Sequence, residues 1–395
     1  MISVLLASLS VFLAFPVVIL FVEVIAAVAL QNRNYAALSK QHGQRVAVLV
    51  PAHNESCGLL ATITDVKLQL GQRDRLLVVA DNCSDDTAAV AAAAGAEVIE
   101  RRDSDRRGKG YALACGIKHL SLDPPDVVIV IDADCRVADD ALEHLASSCA
   151  STNRPVQALY LMNTRDDAPI NTKVAQFAWY LKNYIRPRGL CNLSLPCQLM
   201  GSGMAFPWNV IQEAEVATGS IVEDLKLGLD LTLAGHPPVF CPFPCVVSEF
   251  PQTLKALQSQ RWRWEQGHVS AILKVFPYLI SISILRRDLN LLALALDLAV
   301  PPLSLLGTLI VGTLALGELA SLFGLSSTAT LISSIDLLAL LSAGFISWLR
   351  FGRTILGPRS IGLLVPYLFR KFILYGSIIF GKSGPRWTRT DRTVI

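Results

Sequence analysis

Hydrophobic residues gather at the two ends of this chain, and the stretches differ in length and rhythm. Residues 3–30 are almost uninterrupted Leu, Val, Ile, Ala and Phe, broken by serines and by Glu23. A helix crosses a bilayer with about 20 apolar residues, so this stretch predicts a transmembrane helix. No basic segment precedes it and no clean cleavage site follows, which argues against a signal peptide. Arg33, Lys40 and Arg45 follow it. By the positive-inside rule the N-terminus is then outside and the chain from about residue 31 is cytoplasmic. Glu23 is expected near the interface or paired inside a helix bundle.

From 45 to 265 the pattern changes to short apolar runs alternating with helical stretches. RVAVLV (45–50), LLVVA (76–80) and DVVIVI (126–131) read as strands buried on both faces, separated by helices over 84–94 and 110–120. Such alternation predicts an α/β domain built on a mostly parallel sheet covered by helices. Ser84 with Asp85-Asp86 marks a helix start, and Gly95 its end. Beyond 267 the apolar pattern returns. Segment 268–285, with Lys274, Pro277 and Arg286-Arg287, predicts an interfacial helix. Residues 291–317 predict a span despite Asp297 and Pro301-Pro302, and 327–349 a second one, with Arg350, Arg353 and Arg359 at its cytoplasmic end. Segment 361–380 carries Arg370-Lys371 at its middle. It is read as interfacial, because a crossing would place the basic tail outside. The expected division is an N-terminal transmembrane helix (1–32), a cytoplasmic domain (33–267), and interfacial and transmembrane helices ending in a basic cytosolic tail (268–395).

Composition narrows the function. Of 395 residues, 52% are hydrophobic and 17% charged, and the net charge of +3 is too small to imply a nucleic-acid partner. The nine cysteines contain no CxxC and no metal-ligand spacing, as expected of reduced thiols.

The candidate chemistry lies in polar motifs at strand ends, where ligands gather in open α/β sheets. Asp132-Ala133-Asp134 follows a strand run. Alternate residues face the same way, so two carboxylates could hold a hard divalent cation, Mg²⁺ or Mn²⁺, and offset charge on a departing diphosphate. Asp-x-Asp also occurs by chance in solvated loops. Asp81 ends LLVVA; with Ser84 and Asp85 available as caps, it is expected to be free to accept hydrogen bonds from a base or ribose. Lys109, in Arg107-Gly108-Lys109-Gly110 before a helix, suits phosphate, although the pattern is no P-loop. Glu223-Asp224 opens a helical pattern whose dipole alone favours acids. One of these carboxylates could equally be a general base for an acceptor hydroxyl. Gln260-Arg261-Trp262-Arg263-Trp264 combines guanidinium forks suited to diphosphate with indoles that could stack on sugars or merely anchor at an interface.

These motifs carry a resemblance. VLVPAHNE (48–55), ADNCSDDT (80–87), RGKGYAL (107–113), DADC (132–135), GSGMAF (201–206), VEDLKLGLDL (222–231) and QRWRW (260–264) occur in one order. Segment 45–267 resembles family 2 glycosyltransferases, specifically the membrane-integrated branch that includes bacterial cellulose, hyaluronan and poly-N-acetylglucosamine synthases. The resemblance implies a GT-A type α/β domain inserted between transmembrane α-helices. It implies that Asp81 contacts the uracil or ribose, that Lys109 meets the donor, and that Asp134, assisted by Asp132, binds the metal-diphosphate. It makes Asp224 the catalytic base. Gln260, Arg263 and Trp264 would hold the diphosphate and the acceptor end, Gly201, Ser202 and Gly203 would shape the acceptor sugar pocket, and Glu223 would stand with the acceptor residues. Two departures stand out: Ala80 where many relatives have Asp, and Val222 where they have Thr.

The expected function is an inverting hexosyltransferase of the bacterial inner membrane. It would use a nucleotide-diphosphate sugar, a UDP-sugar, to elongate an extracellular polysaccharide. The alternatives are single-sugar transfer to a lipid such as polyprenyl phosphate or ceramide, and a non-catalytic export scaffold. With about three spans, the pore of the larger synthases would be incomplete, which leaves room for export partner proteins.

Overall fold

The computed structural model describes residues 1–30, 43–220, 222–251 and 253–358. In chain order the elements are α1 (Ile2–Ala29), β1 (Val46–Ala52), α2 (Leu59–Lys67), β2 (Arg75–Asp81), α3 (Thr87–Ala93), β3 (Glu97–Arg101), α4 (Lys109–Leu120), β4 (Val127–Val130), β5 (Arg136–Val137), α5 (Ala141–Thr152) and β6 (Val156–Asn163). Then come α6 (Ile170–Tyr180), a π-helical turn (Leu181–Ile185), α7 (Arg186–Asn192), β7 (Met204–Pro207), α8 (Trp208–Ile211), α9 (Glu223–Leu233) and β8 (Val239–Glu249). The remaining helices are α10 (Leu254–Lys274), α11 (Phe276–Arg286), α12 (Leu289–Leu298), α13 (Leu303–Leu322) and α14 (Thr328–Ser347), closed by a second π-helical turn (Trp348–Gly352).

Two compact units divide the described residues: an α/β unit of 43–163 and 193–250, and a helical unit of 1–30, 164–192 and 251–358. The partition differs from the one the hydrophobic pattern suggested. Segments 164–192 and 251–267 belong with the helical unit, where Arg186 pairs with Glu23 and Asp297 and Trp179 meets Trp264.

In the α/β unit one eight-stranded sheet has the order β3-β2-β1-β4-β7-β6-β8-β5. The three strands expected from the sequence are its centre: β1 pairs in parallel with β2 and β4. Their side chains form a core with α4 and α9, including Leu49, Leu77, Val128, Leu113 and Leu227. The sheet is mixed rather than mostly parallel, because β7 runs antiparallel to both β4 and β6 and β5 antiparallel to β8. Buried runs look alike in either direction, so connections decide polarity. The reversal brings the start of β7 beside the carboxyl end of β4. An antiparallel strand begins at the edge where its parallel neighbour ends, and Gly203 N–H accordingly donates to the carbonyl of Val130 at 3.0 Å. In β8 the register against β6 shifts from Cys241 to Cys245, a bulge that takes up Pro242 and Pro244, which have no N–H to offer a ladder.

In the helical unit three helices are long and apolar enough to cross a membrane: Ile2–Ala29, Leu303–Leu322 and Thr328–Gly352. Val11, Phe12, Val18 and Val22 of α1 are exposed, a face suited to lipid rather than water. The span expected over 291–317 is corrected. Pro301-Pro302, unable to continue a helix, separate α12 from α13, and α13 is the long apolar helix. The segment 268–285, expected as one interfacial helix, covers the end of α10 and most of α11. These meet at a 46° bend before Pro277 and together are long and apolar enough for one broken span. Arg33, Lys40, Arg359, segment 361–380 and the basic tail lie outside the described residues.

Glu23 takes the second of its two expected roles. Arg186 Nε donates to Glu23 Oε2 at 2.6 Å, while its Nη2 pairs with the Asp297 carboxylate and donates to the Asp297 carbonyl at 2.7 Å. All three are at least 95% buried. Gly189, one turn along α7, packs so closely on the Glu23 carbonyl that a Cβ would overlap it.

Candidate active site

The site is built at the carboxyl edge of β4. Ile131 N–H extends the ladder to the Leu49 carbonyl (3.1 Å), and the chain then turns, with Cys135 N–H donating to the Asp132 carbonyl. Two buried hydroxyls hold this turn. Thr62 of α2 lies 2.8 Å and 2.7 Å from the carbonyls of Ala133 and Cys135. Ser202 Oγ accepts from Asp132 N–H at 3.0 Å and donates to the Cys135 sulfur at 3.3 Å. Ser202 is fully buried, so it supports the Asp132–Asp134 turn from beneath.

Gly203 is buried as well. Its φ is +69°, and an added Cβ would lie 2.7 Å from that of Ala158. Strained φ and overpacking together predict that Gly203→Ala destabilises the domain by about 2–4 kcal/mol. Thermal unfolding of the purified protein checks this, and an unchanged transition would contradict the packing described. Of the three small residues only Gly201 (φ +97°) abuts the charged groups: a Cβ there would sit 3.3 Å from Asp224 Oδ2 and 3.7 Å from Lys109 Nζ.

Lys109 begins α4 after Gly108, whose φ of +134° favours glycine. Its ammonium pairs with Asp132, donates to the Gly201 carbonyl at 2.7 Å, and lies 4.0 Å from Glu223 Oε1. Burial opposes the charge on Lys109, but Asp132, Glu223 and Asp224 outweigh it and raise its pKa, so the ammonium persists. Glu223 and Asp224 form the first turn of α9. Val222, the N-cap, provides no side-chain cap, and Asp224 Oδ1 instead accepts the Leu225 N–H at 2.8 Å. Burial, then the neighbouring Asp224, push Glu223 up to about 7 although Lys109 pulls the other way. Beside these acids a small cleft is lined by Gly110, Thr218, Glu223, Asp224, Lys226 and Leu227.

Asp132, Asp134 and Cys135 each offer a ligand atom within 4.8 Å of one another. Burial and then Asp132 push the Cys135 thiol up to about 12, and its sulfur accepts the Ser202 hydroxyl. The two carboxylates supply oxygen ligands of the kind that Mg²⁺ and Mn²⁺ take. Asp134 is steered by Ser248 of β8, whose hydroxyl donates to Oδ2 at 3.3 Å.

Asp81 does end β2, but it is not free. Its Oδ1 accepts from Arg101 Nη1 at 2.6 Å and from Asn82 Nδ2 at 3.0 Å. Arg101 also lies 3.2 Å from Asp103, donates to the Arg106 carbonyl, and sits 5.5 Å from the Tyr111 ring centroid. Sequence reasoning missed Arg101. Its one signal was its place in β3 directly across from Asp81, in a strand too exposed to read as one.

Gln260, Arg263 and Trp264 lie in the helical unit on α10. Gln260 is buried with no partner for Oε1 among the described residues, and the Trp264 ring packs on Trp179 with centroids 4.8 Å apart.

Residues 42–267 match the family described as Glycosyltransferase like family 2, more than half of the chain. A protein named Probable glycosyltransferase YdaM, from Bacillus subtilis strain 168, is 25% identical over 248 residues, covering 58% of this chain and 56% of that protein. A poly-beta-1,6-N-acetyl-D-glucosamine synthase of Staphylococcus aureus strain MSSA476 is 24% identical over 243 residues, with the same coverage of each chain. The chain thus spans little more than half the length of these curated relatives. Among solved structures, the mannosyltransferase PcManGT from Pyrobaculum calidifontis, in complex with GDP-Man and Mn2+, superposes with a TM-score of 0.52 at 16% identity. That alignment covers 86% of this chain and 99% of the other. The fold is therefore the GT-A type α/β domain set between long apolar helices, and the chain belongs to glycosyltransferase family 2.

Proposed function

We propose that this family 2 glycosyltransferase transfers a sugar, with inversion, from a UDP-sugar to the end of a growing polysaccharide at a membrane surface. The observation that carries the reading is the convergence of Lys109, Asp132, Asp134, Glu223 and Asp224 at one edge of the sheet. A cationic side chain, a two-carboxylate cation site and a second acidic pair are what diphosphate departure and hydroxyl attack require. The S. aureus relative, named for making a polymer, supports the choice of acceptor.

In the proposed reaction Asp224 accepts the proton of the acceptor hydroxyl as its oxygen attacks the anomeric carbon. The bond from that carbon to the diphosphate oxygen breaks, and the nucleoside diphosphate leaves with the electron pair. Asp132 and Asp134 would hold a divalent cation, which would supply positive charge to the leaving diphosphate. Lys109 adds a fixed ammonium beside them. Glu223, its pKa near 7, remains partly protonated and so can donate a hydrogen bond to an acceptor oxygen. Asp81, with its charge shared by Arg101, would face the uridine. Gln260 and Arg263 would take the diphosphate, and Trp264 the acceptor sugar. The α/β unit would lie in the cytoplasm, with the N-terminus outside and the protein in the inner membrane of a bacterium.

Purified protein in lipid, given a panel of nucleotide sugars, should release nucleoside diphosphate from one UDP-sugar, and EDTA should abolish that release. Asp134→Ala is expected to lose activity that added Mg²⁺ or Mn²⁺ does not restore. Full activity in EDTA would remove the cation from the account.

A further inference from the structure

One residue outside all of the recurring motifs has a place in this chemistry. Trp179 lies in the last turn of α6, in the 164–192 segment of the helical unit. Its ring meets that of Trp264 at 4.8 Å between centroids and 38° between planes, and Lys182 Nζ lies 6.0 Å from the Trp179 centroid. Both indoles are only partly buried. On α10, Gln260 lies one turn before Trp264 on the same helix face, and its Oε1 has no partner among the described residues. Gln260 itself is 94% buried. A buried polar atom left unpaired costs stability. A half-buried indole with an unpaired acceptor on the same helix face offers the two kinds of group a sugar engages, whose rings present both C–H faces and hydroxyls.

The helix carrying Trp179 is firmly held. The π-helical turn Leu181–Ile185 follows directly, an irregularity that concentrates at functional sites. Past it, Arg186 is locked to Glu23 and Asp297, and Gly189 lies against the Glu23 carbonyl. On the other side Phe177 packs against Gly352, where a Cβ would not fit. An indole on such a frame is fixed in orientation, and through the tilted contact it limits the orientations open to the Trp264 ring.

We propose that Trp179 is a positioning residue for the acceptor: its indole backs Trp264 and sets the face on which the terminal sugar of a saccharide acceptor stacks. The inference rests on the assignment of Trp264 to the acceptor sugar. It favours a saccharide over a lipid headgroup, because the free face of an indole matches the C–H face of a sugar ring.

The test uses full-length protein in detergent with short β-linked gluco- and N-acetylgluco-oligosaccharides as acceptors. Trp179→Ala should raise the acceptor KM about 3- to 10-fold, with donor KM unchanged and kcat within about twofold. Trp179→Phe should restore most of the loss, whereas Trp179→Leu, equally apolar but without a ring, should not. The far-ultraviolet circular dichroism couplet of the indole pair should vanish in both Trp179→Phe and Trp264→Phe. If Trp264→Ala raises the acceptor KM and Trp179→Leu does not, the positioning role is overturned while the acceptor assignment stands. If Trp264→Ala leaves it unchanged, the acceptor assignment falls too. Should Trp179→Ala fail to fold, the Phe and Leu pair still decides.

Discussion

Replacing Asp224 by Asn is expected to lower sugar transfer by roughly 10²–10⁴-fold, the loss typical of a general base. Asn keeps the size of the side chain and can still accept the Leu225 N–H that Asp224 Oδ1 takes at 2.8 Å. What it loses is the capacity to receive a proton. Donor binding is expected to persist, because Lys109, Asp132 and Asp134 are untouched. Glu223→Gln is expected to have a much smaller effect. Burial and the charge of Asp224 already keep Glu223 near pKa 7, so a neutral side chain resembles the state it partly occupies. Transfer rates and nucleotide binding for the two variants, measured side by side, check this ranking. Equal losses, or a larger loss at Glu223, would move the base to the neighbouring residue.

Arg186→Met should give the largest loss of stability, about 3–5 kcal/mol. One guanidinium serves two carboxylates from segments far apart in the chain, Glu23 of α1 and Asp297 of α12. Removing it leaves two acids buried without their partner. Glu23 Oε1 already lacks a hydrogen-bond partner among the described residues. Met is close in length and apolar, which limits the packing loss to a minor share. The triple variant Glu23→Gln, Arg186→Met, Asp297→Asn should recover most of the deficit, because no uncompensated charge remains. Thermal unfolding in detergent distinguishes the cases, and an unchanged transition for Arg186→Met would mean that the three charges are solvated.

The sheet's centre was legible in the sequence for a physical reason. Strands β1, β2 and β4 are buried on both faces, so their residues are apolar without interruption and end abruptly in polar groups. Strand β3 was not, because as an edge strand it keeps Glu97, Glu100 and Arg101 partly in water. Strand β8 was hidden by prolines that its bulge tolerates. At the site, Lys109, Asp132, Asp134, Glu223 and Asp224 could be named from motifs, and the structure brings them together. The inward direction of Ser202 could not, since it follows from the antiparallel arrival of β7. Nor could the pairing of Asp81 with Arg101. Arg186 reads as an ordinary surface cation, and Trp179 as an ordinary aromatic. Their roles depend on partners at positions 23, 297 and 264, contacts that no local pattern reports.

The central claim is sugar transfer from a nucleotide sugar to a saccharide chain, and sizing the product tests it most directly. Full-length protein in proteoliposomes would be given radiolabelled UDP-sugar and divalent cation, and the labelled product separated by length. The account predicts a polymer of many sugar units, absent with EDTA and absent with Asp224→Asn. Label confined to a lipid carrying one sugar, or no incorporation from any donor, would contradict it.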